Sequence, residues 1–359
     1  MSDARVPRRR SGSGRRVAAA VALAAALGAC TSEWALRTAA PRAALQWPYA
    51  PAPAKLTYVR SLAGFDQAAS ARSVLAAVVY GAASKDSNAF VLPVAVATGE
   101  DGRIAVADTG RRCVHLYVPA ERRYLRLTGS AQKRMQSPVG VAFDEQSRLY
   151  VADSAGRLFA FDRQGVLRFA IDKAGERPLQ RPTGLAYSPQ RGWLYVVDTL
   201  AQAIYAFDAQ GALALTIGQR GEGPGSFNFP THIAWAPPGE LYVTDTFNFR
   251  IQILDERGKY LGSFGHHGDG SGDLAMPKGV AVDKDGVVYV ADGLLDNVQL
   301  FDRQGRFLLT LGRRGVDFGE FWLPTGMFLD RHDDLYVCDT YNRRVQVFHV
   351  AERYAQPTP

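Results

Sequence analysis

Cysteine is scarce, with three residues in a chain of 359, so no disulfide framework substitutes for a packed core. Long apolar runs are short supply too. Val17–Leu27 is an uninterrupted stretch of Val, Ala and Leu, but as a helix it rises only about 16 Å against a hydrocarbon thickness of about 30 Å. Broad basic charge is also missing, despite a formal +7. Residues 1–29 hold six arginines, one acid and no lysine, so they carry +5 and leave +2 for the rest. A near-neutral body lacks the footprint that phosphate backbones require, which excludes a nucleic-acid partner. What remains is apolar residues at 47%, with 35 Gly and 19 Pro, enough for a large core and many turns.

The N-terminus reads as an address. Met1–Arg16 is rich in arginine, the apolar run follows, and small residues come next, the order of an export signal. Leu27-Gly28-Ala29-Cys30 resembles the lipobox of bacterial lipoproteins. That resemblance implies removal of residues 1–29, diacylglycerol on the Cys30 thiol, an acylated amine and durable membrane anchoring. Thr31 follows where an inner-membrane protein of that family carries Asp, so the resemblance implies the outer membrane, facing the periplasm. The alternative is cleavage at a nearby A-x-A-like site and release of a soluble protein. Arg15-Arg16 lacks the bulky pair that follows in a twin-arginine signal. Residues 30–54, Ala- and Pro-rich without a strand or helix period, are expected to form a tether.

A repeat organises the remainder. Ile104-Ala105-Val106-Ala107-Asp108 returns as Leu149–Asp153, Leu194–Asp198, Leu241–Asp245, Val288–Asp292 and Leu335–Asp339, the aspartates stepping by 45, 45, 47, 47 and 47. Pro93, Pro138, Pro182, Pro230, Pro277 and Pro324 open the units. Each unit reads as four short strands. In one, Gly279–Val282 is strand a, Val288–Asp292 strand b, Val298–Phe301 strand c and Phe307–Leu311 strand d, with turns at Asp283-Lys284-Asp285-Gly286 and Asp302-Arg303-Gln304-Gly305. Alternating β-branched and aromatic residues between Asp/Gly turns predict hairpins. Four strands in about 45 residues, repeated radially, form a propeller blade.

The units resemble the NHL repeat, most closely at Asp339-Thr340-Tyr341-Asn342-Arg343-Arg344-Val345-Gln346-Val347-Phe348. The resemblance runs from Pro93 to Val350 and implies an all-β, six-bladed β-propeller of four-stranded antiparallel blades. It also resembles bacterial NHL-repeat lipoproteins, which brings no ligand with it. The sixth unit stops at its third strand, and Leu56–Gly64 has the pattern of a missing strand d. This N-terminal strand is expected to close the last blade and remove an exposed edge. The propeller domain is therefore set at 55–350, with 351–359 as a tail. Within it, 65–92 is expected to be a short helical insertion, because Val74, Leu75, Val78 and Val79 share one helical face. That helix packs either on the propeller or on a partner or membrane.

Strand direction places the a–b and c–d turns on one face of the disc and the b–c and d–a loops on the other. The second face is expected to bind, because loops on a rigid ring present binding residues. It carries Arg111, Arg112, Arg220, Asn248, Arg250, His266, His267, Arg313, Arg314, Asn342, Arg343 and Arg344. Their local positive charge favours an anionic or polar partner, although each also has a structural reading as a loop tie, as do the six repeat aspartates. His232 stands where the other units have Ala95, Gly140, Gly184, Gly279 and Gly326, so it is expected at the central channel mouth, as a ligand or metal contact or as a satisfied structural histidine. His266-His267 reads as an exposed pair, too close in sequence to share one metal.

The expected role is a non-catalytic binding or scaffold module, monomeric, without cofactor or metal, taking a protein or an extended polymer on the b–c/d–a face and held to the membrane through Cys30. The alternative is a metal-dependent lyase or hydrolase. NHL-type peptidyl-hydroxyglycine amidating lyases hold zinc with histidines from separate blades, and a catalytic zinc needs three protein ligands; only His232 lies at a strand-a mouth. Propeller lactonases use a channel-lining Glu/Asn/Asp calcium site, whereas strand a here offers mainly Gly, Ala, Val and Phe. No Gly-x-Ser-x-Gly elbow or phosphate loop occurs. Cys113 and Cys338 lie in units that ring closure makes neighbours, which leaves a disulfide between them conceivable.

Overall fold

The computed structural model describes residues 33–49, 52–67 and 88–351. Six antiparallel blade sheets follow one another along the chain, with a two-stranded ladder of Lys173–Ala174 and Arg177–Pro178 between the second and third. Their innermost strands, Pro93–Thr98, Pro138–Phe143, Pro182–Ser188, Pro230–Ala236, Pro277–Val282 and Pro324–Leu329, contact one another in cyclic order, the last against the first. The chain is an all-β, six-bladed propeller. Two 3-10 turns, Pro119–Glu121 and Thr246–Asn248, are the helical segments among the described residues.

Local chemistry explains the blades. In the c–d turn of blade five, Asp302 Oδ1 accepts the backbone N–H groups of Gln304 and Arg306 at 3.0 and 2.8 Å. Gly305 adopts φ +79° to complete the turn, a conformation glycine takes without a Cβ penalty. The same bonds hold the a–b turn at Asp283. Alternation then sends one side of each strand towards each neighbouring blade. Six apolar clusters result, each gripped between two consecutive blades. Fully burying one Leu or Phe side chain there stabilises the ring by roughly 1.5–3 kcal/mol.

Crowding at the axis sets the glycine pattern. A Cβ on Gly140 would lie 2.0 Å from the Thr183 carbonyl oxygen of the next blade, closer than any atom can approach without moving backbone. The inner strands therefore pack main chain to main chain. Threonine hydroxyls latch the blades: Thr199, Thr246 and Thr340 donate to the carbonyls of Pro230, Pro277 and Pro93 at 2.7, 3.0 and 2.8 Å.

The ring closes as expected and by more than was expected. Leu56–Gln67 pairs antiparallel with Arg344–Val350 as the outer strand of blade six. Part of the tether assigned to 30–54 is instead structured. Trp34–Ala39 adds a fifth strand against Leu56–Gln67, and Gln46–Trp47 pairs with its start. Averaging over Ala and Pro hid a local alternation in which Trp34 and Leu36 pack on the cluster between blades six and one. Trp34 N–H also donates to the Arg122 carbonyl at 2.7 Å, and Trp47 is 4% exposed. The insertion set at 65–92 is narrower at both edges: 65–67 continue the outer strand, and Phe90 packs on Phe65 at 5.7 Å. The predicted helix itself, like Cys30, the signal segment and the 352–359 tail, lies outside the described residues.

Candidate binding face

The six repeat aspartates are fully buried, and each ties the loops at its blade's mouth. Asp292 accepts the N–H groups of Ala275, Met276, Leu294 and Leu295. Asp245 and Asp339 gather side chains as well, and this sorts the predicted site residues into two groups.

The first group ties loops together, the structural reading that each of these residues also carried. Asn248 donates to Asp245 at 2.8 Å and to the Gly221 carbonyl at 3.0 Å. Arg250 bonds Asp245 at 2.9 Å and the carbonyls of Gly223 and Ser226. Asn342 and Arg344 repeat this around Asp339, with Arg344 Nε at 2.7 Å. The physical reason is that a buried carboxylate and a Gly-rich d–a loop both need partners, and the Asn-x-Arg spacing supplies them. Arg111 donates to the Ala89 carbonyl at 2.6 Å. His266 pairs with Asp273 too, but its side chain is 75% exposed, so it also belongs with the solvent-facing residues.

The second group faces solvent on the b–c/d–a side. Arg112, Arg220, Arg343 and His267 are exposed, with His267 edge-on to Phe249 at 4.3 Å. Arg313 is exposed while bonding Glu320 at 3.0 Å. Arg314 lies 3.8 Å from Asp296 and 5.9 Å from the centre of the Trp322 ring. Arg220 also borders an open cleft of about 290 Å³ with Arg177, Gln180, Tyr205 and Gln219.

Among these cations stand apolar side chains that the motif reading overlooked. Leu200, Phe247, Leu294 and Tyr341 each sit two residues after a repeat aspartate, and Trp322 lies two before Pro324. They are 42–66% exposed. Phe229 meets Phe247 at 5.0 Å and Trp322 meets Tyr341 at 5.5 Å. Together they form a crescent over blades three to six. The signal was available: a tight b–c turn favours Gly, Asp or Asn, and four of six units place a bulky apolar residue there.

His232 does stand at the axial strand, opposite Thr244 in register. Its Nδ1 is buried without a hydrogen-bond partner among the described residues. Burial, reinforced by the Lys278 charge, pushes its pKa down to about 3, so the ring is neutral at physiological pH. No group of three or more His, Cys, Asp or Glu side chains able to hold a metal occurs among the described residues. Cys113 and Cys338 are both buried and unbridged, which corrects the conceivable disulfide. Desolvation raises the Cys113 thiol to about 11. A histidine not considered from sequence, His115, fills the wall beside it, 2.8 Å from Tyr124 Oη and 3.5 Å from Asp108; it has no solvent access and serves packing.

The NHL repeat family model matches residues 321–348. Against the curated proteins the sequence finds no match. Solved structures share the architecture at low identity. A gluconolactonase from Xanthomonas campestris is 18% identical over 73% of this chain and 87% of its own, with a TM-score of 0.56. Virginiamycin B lyase from Staphylococcus aureus is 10% identical over 73% and 96%, TM-score 0.54. An auxiliary nutrient binding protein from Bacteroides thetaiotaomicron is 14% identical over 73% and 70%, TM-score 0.56. Such likeness shows the fold alone, since one propeller serves many chemistries. The last blade thus carries an NHL repeat, and the unit it belongs to returns six times around a closed β-propeller ring.

Proposed function

We propose that this propeller is a non-catalytic binding module, lipid-anchored in the bacterial envelope through Cys30, that takes a macromolecular partner on its b–c/d–a face. The observation carrying this reading is the crescent of exposed Leu200, Phe247, Leu294, Trp322 and Tyr341 interleaved with Arg220, Arg314 and Arg343. Aromatic and arginine side chains on a rigid frame are the composition of interface hot spots. A single exposed apolar residue needs no explanation, but the same turn position filled so on four successive blades, with ring pairs at Phe229–Phe247 and Trp322–Tyr341, does. A protein partner suits this mixture best, with an extended polymer as the other occupant of the same groove.

Photo-crosslinking in intact cells tests the face. A photoreactive residue at 294 or 341 is expected to give one dominant adduct, and the same residue at 285 or 304, on the opposite face, none. Equal adducts from both faces would sink the assignment. Anchoring is tested separately: Cys30→Ser is expected to abolish acyl labelling and membrane retention. An enzymatic reading needs metal at the axis; stoichiometric metal in the purified chain, lost with His232→Ala, would favour a lyase or hydrolase instead.

A further inference from the structure

Blade three lacks the tie that blades four and six build around the repeat aspartate. In those two blades the third, fifth and seventh residues after that aspartate are Asn, Arg and Gln, and all three bond it: Asn248, Arg250 and Gln252 on Asp245, and Asn342, Arg344 and Gln346 on Asp339. Arg250 and Gln252 also donate to the Ser226 carbonyl of the incoming d–a loop. Blade three places Ala201, Ala203 and Tyr205 at these positions. The register is the same, since Ala203 pairs with Asp198 as Arg250 pairs with Asp245. Asp198 therefore keeps only backbone donors, the N–H groups of Gln180, Arg181 and Ala201. The connection entering blade three differs as well, being the ladder of Lys173–Ala174 with Arg177–Pro178.

Small side chains in place of long ones leave a hollow. Ala201, Ala203 and Tyr205 line the cleft of about 290 Å³ bounded by that ladder and by the start of the next d–a loop at Gly218. This is near the lower end of the roughly 300–1,000 Å³ of ligand pockets. Ala203 and Tyr205 are buried and make its floor, and the Tyr205 hydroxyl makes no hydrogen bond among the described residues. Arg177 and Arg220 line the same cleft, one from each connection. Both are exposed, neither forms an ion pair among the described residues, and no carboxylate lines the cleft. Leu200 of the crescent is the residue before Ala201, so the hollow opens on the binding face.

We propose that this cleft in blade three receives an acidic side chain of the macromolecular partner, its carboxylate met by Arg177 and Arg220 and its stem lying over the alanine floor. The site rests on the reading of this face as a binding surface and names the chemistry of one contact on it. Guanidinium groups take a carboxylate through paired N–H donors. Two cations on one cleft, with no acid in its lining, favour an anionic guest over a cationic one. In blades four and six the corresponding space holds the protein's own Asn and Arg; in blade three it is left to a visitor.

Fluorescence anisotropy of a labelled, end-blocked tetraglutamate peptide, titrated with the purified full chain at low salt, tests the site. The wild type should bind one peptide per chain and leave tetraglutamine unbound. Arg177→Gln, on an exposed ladder, should weaken binding by about fivefold. Ala203→Met fills the hollow without changing charge and should weaken it by about tenfold or more; should that variant fail to fold, Thr216→Trp obstructs the same cleft from an exposed wall. Arg257→Gln, the same charge change in the c–d turn of blade four on the opposite face, should leave the affinity unchanged. Equal affinity for wild type, Arg177→Gln and the filled cleft, loss with Arg177→Gln alone, an equal loss with Arg257→Gln, or no binding at millimolar peptide overturns the proposal. Displacement by free glutarate at equal concentration would give the site to a small dicarboxylate and overturn the partner assignment, whereas retention of the peptide supports it. Crosslinks from positions 294 and 341 do not depend on this cleft, so the two readings fail independently.

Discussion

Arg343 and Arg344 are adjacent, carry the same charge and do different work. Arg344 reaches inward to Asp339 and to the carbonyls of Asp317 and Glu320, whereas Arg343, at φ +56°, points to solvent. Arg344→Ala takes the ion-pair partner from buried Asp339, leaving it only neutral donors, and is expected to cost about 3 kcal/mol in urea unfolding. Arg343→Ala should stay within about 0.5 kcal/mol while weakening partner capture. The sequence shows both arginines but not which way each turns, because that depends on a loop carbonyl arriving from 24–27 residues earlier. Titration adds a second residue-scale expectation. His232 is protonated near pH 6.5 when unfolded and only at about 3 when folded. The unfolded chain therefore binds the extra proton, and stability falls as pH drops from 6.5 towards 3, by about 2 kcal/mol at pH 5. His115, also held below its ordinary value by burial, contributes with the same sign. Thermal melts across pH 7 to 5 should be flatter for His232→Ala; parallel curves would absolve the residue.

Elements were legible in proportion to their periodicity. The inner three strands of every blade alternate strongly and return at fixed spacing, so strand order and the closing strand could be read directly. Trp34–Ala39 could not, because six residues inside an Ala/Pro-rich stretch carry little periodic signal, and what fixes them is a partner strand more than twenty residues downstream. Trp47 shows how much this segment contributes. It packs edge-on to Phe348 at 5.6 Å inside the seam between blades five and six. Trp47→Ala is expected to destabilise the ring by about 3–5 kcal/mol, measured by the shift in the urea midpoint at constant slope. A residue in a free tether would shift nothing. The crescent was missed for a related reason: the motif drew attention to its invariant-looking Asp and Arg positions, and the variable position between them carries the exposed side chains.

At the scale of the whole molecule, stability is a property of the circle. Each apolar cluster belongs to two blades, so no blade buries its core alone, and the seam between blades six and one is sewn by the segment 33–67. A chain lacking 33–67 leaves the strand Arg344–Val350 with an unpaired edge, a template for other chains. Light scattering after size exclusion should show it self-associating, where the intact chain runs as one species. The same segment has a directional outcome. Glu33, where the described residues begin, sits 2.7 Å from Arg122, the residue that ends the c–d turn of blade one, on the face opposite the aromatic rim. Under the anchoring proposed above, the membrane lies on that side and the aromatic rim faces away from it.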